Sequence, residues 1–292
     1  MTVFRGQDAV ESFLEEFDDW LTASVTVYVL GGSAMTVAGL KDQTEDIDLA
    51  LGVPAAFEHV VDTLHTEGFE RVGEPTASFE GVGRTIELAH PDRGIQIDCF
   101  DRQIVGKVWL SEAMQQRATE FWAGETVTAK LLADEDLFLL KAVAGGDLSS
   151  GRRRDIEDMR LYAQRGLDYE TIIDEIDAQR PFNEGATEAT QIRSQSHPLF
   201  AIDVAIASLG GLPPAFTEEI ERLGTEFEIE YTLLAAIADG VTDVDQLVSR
   251  VCATVEAVAE TDTAAVKAGI DRLVDKQVLH RADGTVEERP DM

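Results

Sequence analysis

The sequence is poor in basic residues. Its 292 residues include 24 lysines and arginines against 56 aspartates and glutamates, which gives a formal net charge of -32 at pH 7. The acidic residues are spread along the whole chain, whereas a disordered acidic arm would concentrate them in one block. Two explanations are open: a proteome adapted to high salt, in which carboxylates keep the folded surface hydrated, and a basic partner. We favour the first because lysine is scarce throughout, and the charge then no longer argues against nucleic-acid binding.

Cysteine and histidine are also scarce. The two cysteines, Cys99 and Cys252, are far apart, which favours free thiols in a reducing compartment over a disulfide. The histidines are scattered and form no pattern with metal-ligand spacing. No stretch approaches the ~18 apolar residues that a membrane span requires, and no apolar run follows basic residues at the N-terminus. We therefore expect a cytoplasmic protein that does not contact a membrane.

The order of predicted elements indicates an α+β fold of several parts. Strand-like segments and amphipathic helices over residues 1–130 predict a mixed β-sheet core with flanking helices. Residues 131–180 are helix-like without strands and predict a helical extension. A polar, poorly periodic stretch predicts a linker and connecting helix over 181–225. Three helices, the first at 227–238, and an Asp-Gly hairpin then predict a winged-helix-like domain over 226–292.

A glycine pair lies between a predicted strand and a predicted helix. Residues 24–30 are β-branched and aromatic, and they run into Gly31-Gly32-Ser33, after which 34–40 is helix-like. Glycines at such a turn let the backbone approach a ligand closely, and the N–H groups at the helix start can bind a phosphate. Ser33 adds a hydroxyl donor. Taken alone, such a turn is more often only a tight connection.

Two aspartates share one face of the next predicted strand. In Asp46-Ile47-Asp48-Leu49-Ala50-Leu51 charged and apolar residues alternate, so both carboxylates project from the same side, about 6–7 Å apart. Sheltered carboxylates repel one another, and a divalent cation such as Mg²⁺ relieves that repulsion. In so acidic a chain the alternative is a solvated strand edge. The order of glycine turn and aspartate strand favours the metal site, because phosphoryl transfer needs a phosphate cradle beside a metal.

A third carboxylate lies within a later apolar strand. Asp98 occupies the middle of Ile95-Gln96-Ile97-Asp98-Cys99-Phe100 and by alternation faces away from Ile97 and Cys99. A lone charge in such a strand is costly to bury without a partner such as a metal. The alternative is an edge-strand aspartate that pairs with an arginine.

The combined motifs resemble a known family. Gly31-Gly32-Ser33, twelve residues and then Asp46-Ile47-Asp48 are similar to the minimal nucleotidyltransferases of the polymerase-β superfamily, in particular its small prokaryotic branch. The resemblance covers roughly residues 9–180. It implies a mixed sheet with helices behind it, divalent ions held by carboxylates, and transfer of a nucleoside monophosphate from an NTP to an acceptor.

The resemblance also implies roles for individual residues. By matching position, Gly31, Gly32 and Ser33 hold the NTP phosphates. Asp46 and Asp48 bind Mg²⁺ (or Mn²⁺). Asp98 takes the place of the third carboxylate, which binds the catalytic metal and helps to deprotonate the acceptor hydroxyl.

A weaker match lies in the helical extension. The family commonly has a lysine in the helix after the sheet and an Arg-Asp-x-x-Asp helix start, and Lys141 and Arg154 stand at these places. The resemblance implies that Lys141 and one of the arginines 152–154 reach the triphosphate. The alternative is a surface Lys141 and an Arg154 that pairs with Asp158 one helical turn on. Lys41, in the turn before the aspartates, is predicted to be a solvated turn residue.

Two functions of different classes fit the sequence. The first is a metal-dependent nucleotidyltransferase that moves an NMP from an NTP to an acceptor hydroxyl on a protein, an RNA end or a small molecule. The second is a catalytically silent regulatory or antitoxin-type module that uses the winged helix to bind a partner or DNA. A silent module has no need of a third carboxylate, so Asp98 favours the enzyme. The last predicted helix mixes acidic and basic residues, which favours protein contacts or dimerisation over DNA binding.

Overall fold

Two units make up the structure, a computed structural model. The first compact unit comprises Met1–Glu175 and the second comprises Ile176–Met292. The predicted linker at 181–197 and Arg152 lie outside the described residues. The residues that the structure describes are 2–72, 85–104, 108–145, 153–179, 199–255, 263–275, 278–282 and 284–288.

A mixed seven-stranded sheet forms the centre of the first unit. Its strands lie in the order β10-β11-β2-β4-β7-β6-β5. The β11–β2 and β4–β7 pairs are parallel and the remaining pairs are antiparallel. The strands of the unit are β1 (Phe4–Arg5), β2 (Val25–Val29), β3 (Gln43–Thr44), β4 (Ile47–Leu51), β5 (Glu70–Arg71), β6 (Thr85–Ala89), β7 (Gln96–Asp101), β8 (Gln103–Ile104), β9 (Val108–Trp109), β10 (Thr119–Ala123) and β11 (Val127–Leu131).

Residue alternation gives this sheet one apolar face. Ile47, Leu49 and Leu51 of β4 are fully buried, as are Ile97 and Cys99 of the neighbouring β7. Asp48 and Asp98 fall between these residues and project from the opposite face, where they are half-buried. The same alternation that builds the core therefore places the carboxylates outside it.

Amphipathic helices pack against the sheet and against one another. The first buries Val10, Phe13, Leu14 and Phe17, whose spacing puts them on one face. It contacts β11, and the helix after β4 contacts both β4 and β7. The helices, in chain order, are α1 (Gly6–Trp20), α2 (Gly31–Val37), α3 (Pro54–Thr66), α4 (Glu112–Arg117), α5 (Asp134–Gly145), α6 (Arg153–Ala163) and α7 (Tyr169–Ala178).

The second unit contains helices followed by a hairpin. One long helix, α9, packs against α8, α10 and α11. Gly269 of α11 lies against Ile229 of α9, where an added Cβ would lie 2.8 Å from the isoleucine Cγ2. The elements are α8 (Leu199–Leu209), α9 (Pro214–Ala238), α10 (Val244–Thr254), α11 (Thr263–Asp275), β12 (Leu279–Ala282) and β13 (Thr285–Glu288).

The predicted α+β fold with a mixed sheet is confirmed, and some element bounds differ from expectation. Helix α2 begins at Gly31 instead of 34. Helix α9 begins at Pro214 instead of 227, because Phe216 and Ile220 extend its buried face toward the N-terminus. The β10–β11 hairpin is not indicated by the sequence, since Thr119–Ala123 is mostly exposed and lacks apolar alternation.

None of the helices that the structure describes combines the length and the apolar character that crossing a membrane requires.

Candidate metal and nucleotide site

Strand pairing brings three carboxylates together. Strands β4 and β7 are parallel neighbours, and their register places Asp48 directly beside Asp98. Asp46 immediately precedes β4. Each of the three residues offers one carboxylate oxygen, and these oxygens lie within 4.8 Å of one another. Such a cluster can hold a divalent cation, which prefers oxygen ligands.

The carboxylates of Asp48 and Asp98 bind protons more tightly than isolated aspartates do. Burial raises the pKa of Asp48 well above its usual range, and the charges of Asp46 and Asp98 raise it further. Burial also raises the pKa of Asp98 to about 6, with contributions from Glu87 and Asp46. Oδ1 of Asp98 is buried without a hydrogen-bond partner among the described residues. A divalent cation would relieve the repulsion between these carboxylates, so the donor set fits a metal that prefers oxygen ligands.

The glycine turn lies directly against the aspartate strand. Gly31 has a φ of +54°, and a Cβ at this position would collide with the carboxylate of Asp48. A Cβ at Gly32 would lie 2.5 Å from Oγ1 of Thr44. The Gly32 N–H donates to the Asp48 carboxylate, which opposes the rise in the pKa of that group. Glycine is therefore required at this turn for close approach to Asp48.

Ser33 anchors the turn to β4. The side chain is fully buried, and its hydroxyl donates to the carbonyl oxygen of Leu30 at 2.8 Å. The same oxygen accepts the N–H of Asp48 at 3.3 Å. The sequence predicts this hydroxyl as a phosphate donor, but in the structure its proton is directed to Leu30. The side chain therefore stabilises the approach of the turn to the aspartate strand.

Two lysines meet at one buried aspartate beside the site. Nζ of Lys41 lies 2.7 Å from Oδ1 of Asp158, and Nζ of Lys141 lies 3.0 Å from Oδ2. Lys141 also pairs with Asp155 at 2.9 Å. The prediction that Lys41 is only a solvated turn residue is wrong, because its ammonium group is bound to a carboxylate of helix α6. Asp158 lies more than a hundred residues after Lys41 in the chain, so the spacing of residues in the sequence does not reveal this pair.

Lys141 is placed where it acts on the metal site. Burial lowers its pKa, but Asp155 and Asp158 more than offset this effect, so the pKa is raised overall and the side chain stays charged. That charge lowers the pKa of Asp48, which shows that the ammonium group is electrostatically close to the carboxylate cluster. The lysine is largely buried, with 16% of its side chain exposed, so it is not an ordinary surface residue.

Arg154 is not drawn into this network. It is exposed in the first turn of α6. Asp158, its expected partner one turn on, pairs instead with the two lysines. The structure therefore brings Lys141 to the carboxylates but leaves Arg154 at the surface.

Sequence reasoning missed two residues of the site. Glu87 on β6 lies directly opposite Asp98 in the antiparallel β6–β7 pair. Nε2 of Gln96 donates to Oε1 of Glu87 at 2.7 Å, and the Gln96 amide also lowers the pKa of Asp98. The turn at residues 91–94, between β6 and β7, carries the signal for this pairing, but the register becomes readable only when the turn geometry is known.

Comparisons with known proteins find remote likeness to solved structures. No protein-family profile matches the chain, and no curated protein resembles it. A Thermotoga maritima crystal structure, provisionally named a nucleotidyltransferase, is 17% identical and covers 55% of this chain and 96% of its own, with a TM-score of 0.34. JHP933 from Helicobacter pylori is 13% identical and covers 80% of this chain and 96% of its own, with a TM-score of 0.34. Sequence identities and TM-scores this low establish neither the fold nor the activity of this chain.

Proposed function

We propose that this protein is a metal-dependent nucleotidyltransferase, which moves an NMP from an NTP to an acceptor hydroxyl. The observation that carries this proposal is the convergence of Asp46, Asp48 and Asp98 beside a glycine turn. Three clustered carboxylates, one with a buried and unpartnered oxygen, favour a bound cation, and a turn that tolerates no Cβ brings the start of helix α2 directly against Asp48. These are the two parts that phosphoryl transfer requires.

The reaction exchanges one P–O bond for another. The acceptor hydroxyl oxygen attacks the α-phosphorus, the bond to the bridging oxygen breaks, and pyrophosphate leaves. Asp46, Asp48 and Asp98 would hold Mg²⁺ or Mn²⁺, and Asp98 would also help to take the proton of the acceptor hydroxyl. The metal, when bound, supplies charge neutralisation at the phosphates and lowers the pKa of the attacking hydroxyl. Gly31, Gly32 and the backbone of Ser33 would lie along the triphosphate.

Positive charge for the triphosphate would come from two lysines. Lys141 is charged, largely buried and electrostatically close to Asp48. Lys41 shares the carboxylate of Asp158 with it, so we add Lys41 to the proposed nucleotide site. Asp158 then acts as a positioning residue that holds both ammonium groups together until an anionic substrate enters. Arg154 stays a proposed contact of the triphosphate, made by its exposed side chain from the first turn of α6.

A silent regulatory module is the competing function. Such a module has no reason to retain a buried carboxylate oxygen without a partner, because that oxygen destabilises the fold unless a cation binds. The unpartnered Oδ1 of Asp98 therefore favours the enzyme.

For the chain as a whole we propose the domain organisation that the sequence predicts. It comprises a core over 1–130, a helical extension over 131–180 that completes the nucleotide site, a linker and connecting helix over 181–225, and a winged-helix-like domain over 226–292. The ion pair between Lys41 and Asp158 of α6 supports the helical extension over 131–180, since it connects that extension to the core.

The winged-helix proposal is supported by an isolated β-bridge next to the hairpin. Asp243 forms a β-bridge with Thr285, and the N–H of Val286 donates to the carbonyl oxygen of Thr242 at 2.8 Å. The segment before α10 thereby extends the β12–β13 hairpin. Helix α11 mixes Lys267 with acidic residues, so we propose a protein partner for this domain. A shift of random duplex DNA by the protein at low salt would contradict that assignment.

The activity is tested by label transfer. The protein in high salt with Mg²⁺ or Mn²⁺ would be incubated with each α-labelled NTP and a mixture of candidate acceptors. We expect label to appear on an acceptor, and pyrophosphate to form, with wild type and with Asp62→Asn, which changes an exposed aspartate of α3. Asp46→Asn and Asp48→Asn should abolish both. Metal-dependent NTP binding without transfer would identify the silent module, and absence of both would disprove the nucleotide site.

A further inference from the structure

A buried hydroxyl of helix α6 makes no hydrogen bond. Tyr162 is fully buried, and its phenol oxygen has no hydrogen-bond partner among the residues that the structure describes. Burying a hydroxyl without a partner costs free energy, whereas a phenylalanine would fill nearly the same space without that cost. The hydroxyl therefore contributes no stability to the protein in this state.

The phenol of Tyr162 lies close to two carboxylates. Burial raises the pKa of Tyr162 above its usual range, the charges of Asp134 and Asp158 raise it further, and Arg165 lowers it. The phenol therefore keeps its proton and is available as a hydrogen-bond donor. Asp158 precedes Tyr162 by four residues on α6, and a long helical side chain leans toward the preceding turn. The donor and this carboxylate thus share one face of the helix.

The two carboxylates differ in their access to water. Asp134 pairs with Nε of Arg165 at 2.5 Å, and 24% of its side chain is exposed. Asp158 has only 5% of its side chain exposed and is bound by the ammonium groups of two lysines. A carboxylate buried this deeply cannot replace a lost partner with water. Asp158 is therefore the carboxylate that needs another donor when a lysine leaves.

Lys41 is the lysine that a ligand reaches more easily. Its side chain is 31% exposed, against 16% for Lys141, which is also held by Asp155. Nζ of Lys41 lies 2.7 Å from Oδ1 and 2.8 Å from Oδ2 of Asp158, whereas Lys141 contacts Oδ2 at 3.0 Å. Removal of Lys41 therefore takes an ammonium contact from both oxygens of Asp158, and Lys141 continues to bind Oδ2.

We propose that Tyr162 is a positioning residue, which donates its O–H to Asp158 when the triphosphate of a bound nucleotide draws Lys41 away. This inference rests on the proposed nucleotidyltransferase function. Without nucleotide, Lys41 binds Asp158 and the phenol is unbonded. With nucleotide, Lys41 turns to the phosphates and the phenol takes its place at the carboxylate. This exchange of partners favours nucleotide binding, because the buried charge of Asp158 keeps a second donor beside Lys141.

A double-mutant cycle without ligand tests the exchange. Lys41→Met removes the ammonium group that a nucleotide would draw away, and urea titrations of the full chain measure the folding equilibrium constant. In wild type, Tyr162→Phe should leave this constant unchanged or raise it, because the hydroxyl is unpartnered. In Lys41→Met the same substitution should lower it about tenfold, since the phenol then donates to Asp158. Tyr231→Phe, at a half-buried position of α9, should have equal effects in both backgrounds.

Nucleotide binding provides a second test. Calorimetry would measure the affinity of the full chain, with Mn²⁺, for the α,β-methylene analogues of the four common NTPs, which cannot transfer their NMP. Tyr162→Phe should weaken binding of the preferred analogue about tenfold, and Tyr231→Phe should bind it as wild type does. A tyrosine that only supports the fold would show the reverse pattern, with lower stability in the absence of ligand and unchanged affinity.

Three results would overturn the exchange and leave the proposed function standing. They are equal effects of Tyr162→Phe in wild type and in Lys41→Met, a loss of ligand-free stability when wild type acquires this substitution, and nucleotide affinity that the substitution does not change. If Lys41→Met does not fold, the affinity comparison decides by itself. Failure of wild type to bind any of the analogues with Mn²⁺ would instead remove the proposed function, and the exchange with it.

Discussion

At the scale of single residues, the site is defined by unfavourable charge. Asp46, Asp48 and Asp98 are placed by strand geometry where they repel one another and where burial removes water. Folding brings these carboxylates together, and a bound cation would neutralise the repulsion between them. Metal-free and metal-bound protein should therefore differ measurably in stability.

Asp98→Asn provides a test at this scale. Because the pKa of Asp98 is raised to about 6 in the folded protein, the folded state binds this proton more tightly than the unfolded state does, and metal-free stability falls as the pH rises through about 6. We expect metal-free wild type to lose roughly 1–3 kcal/mol of unfolding free energy between about pH 4 and pH 7. Denaturant titrations at fixed salt measure this loss.

The unfolding free energy of Asp98→Asn should depend less steeply on pH than that of wild type. The metal-free variant should also be more stable than metal-free wild type at pH 8. Some dependence should remain, since burial also raises the pKa of Asp48 and raises that of Asp136 to about 6. Added Mn²⁺ should stabilise wild type and have little effect on the variant. Equal stabilisation of both proteins by Mn²⁺ would place the cation elsewhere.

At the scale of elements, buried ion pairs join segments that are distant in sequence. Asp158 of α6 binds Lys41 before β3 and Lys141 of α5, and this cluster connects the helical extension to the sheet. Asp18, near the end of α1, connects this helix to the β10–β11 hairpin through hydrogen bonds. Its carboxylate accepts the N–H groups of Glu125, Thr126 and Val127.

Asp158→Asn should destabilise the protein by about 2–4 kcal/mol, because it leaves two partly buried ammonium groups with less negative charge. Urea titration of wild type and variant measures the difference. Asp62→Asn, at an exposed position, is the matched control and should change stability by less than about 0.5 kcal/mol. A loss no greater than that of the control would show that the lysines do not depend on Asp158.

Asp18→Ala should loosen the attachment of α1 to the hairpin and cost about 1–2 kcal/mol. Partial burial raises the pKa of Asp18, but the bonds from the hairpin backbone dominate and lower it to about 2. The contribution of this carboxylate is therefore complete above about pH 4 and is lost as the pH falls toward 2. Acid titrations followed by circular dichroism should show wild type and variant converging below about pH 2, and a constant gap between them would contradict the assignment.

At the scale of the whole molecule, negative charge dominates. A net charge of -32 spread over folded units produces mutual repulsion that added salt screens. We expect the melting temperature to rise steadily with KCl concentration between about 0.1 and 1 M, where the screening length falls from about 10 to 3 Å. Sucrose at matched osmolality controls for solvent exclusion. A melting temperature that does not respond to KCl would argue against adaptation to high salt.

Whether a feature of this protein could be predicted from the sequence depends on how far apart its interacting residues lie along the chain. Asp48 and Asp98 were identifiable because period-two alternation along one strand is a local property. The roles of Lys41 and Glu87 were not, since each depends on a partner contributed by another element. The edge hairpin β10–β11 escaped prediction because its exposed strand lacks an apolar period.

The sequence by itself determined the mixed α+β fold, the glycine turn and the faces on which the aspartates project, because strand and turn preferences act over a few residues. Only the tertiary structure decided that β4 and β7 pair in the register that sets Asp48 beside Asp98, with Glu87 next in the row. That register depends on the packing of apolar faces contributed by distant segments. The same packing turned Lys41 from an expected surface residue into a partner of Asp158.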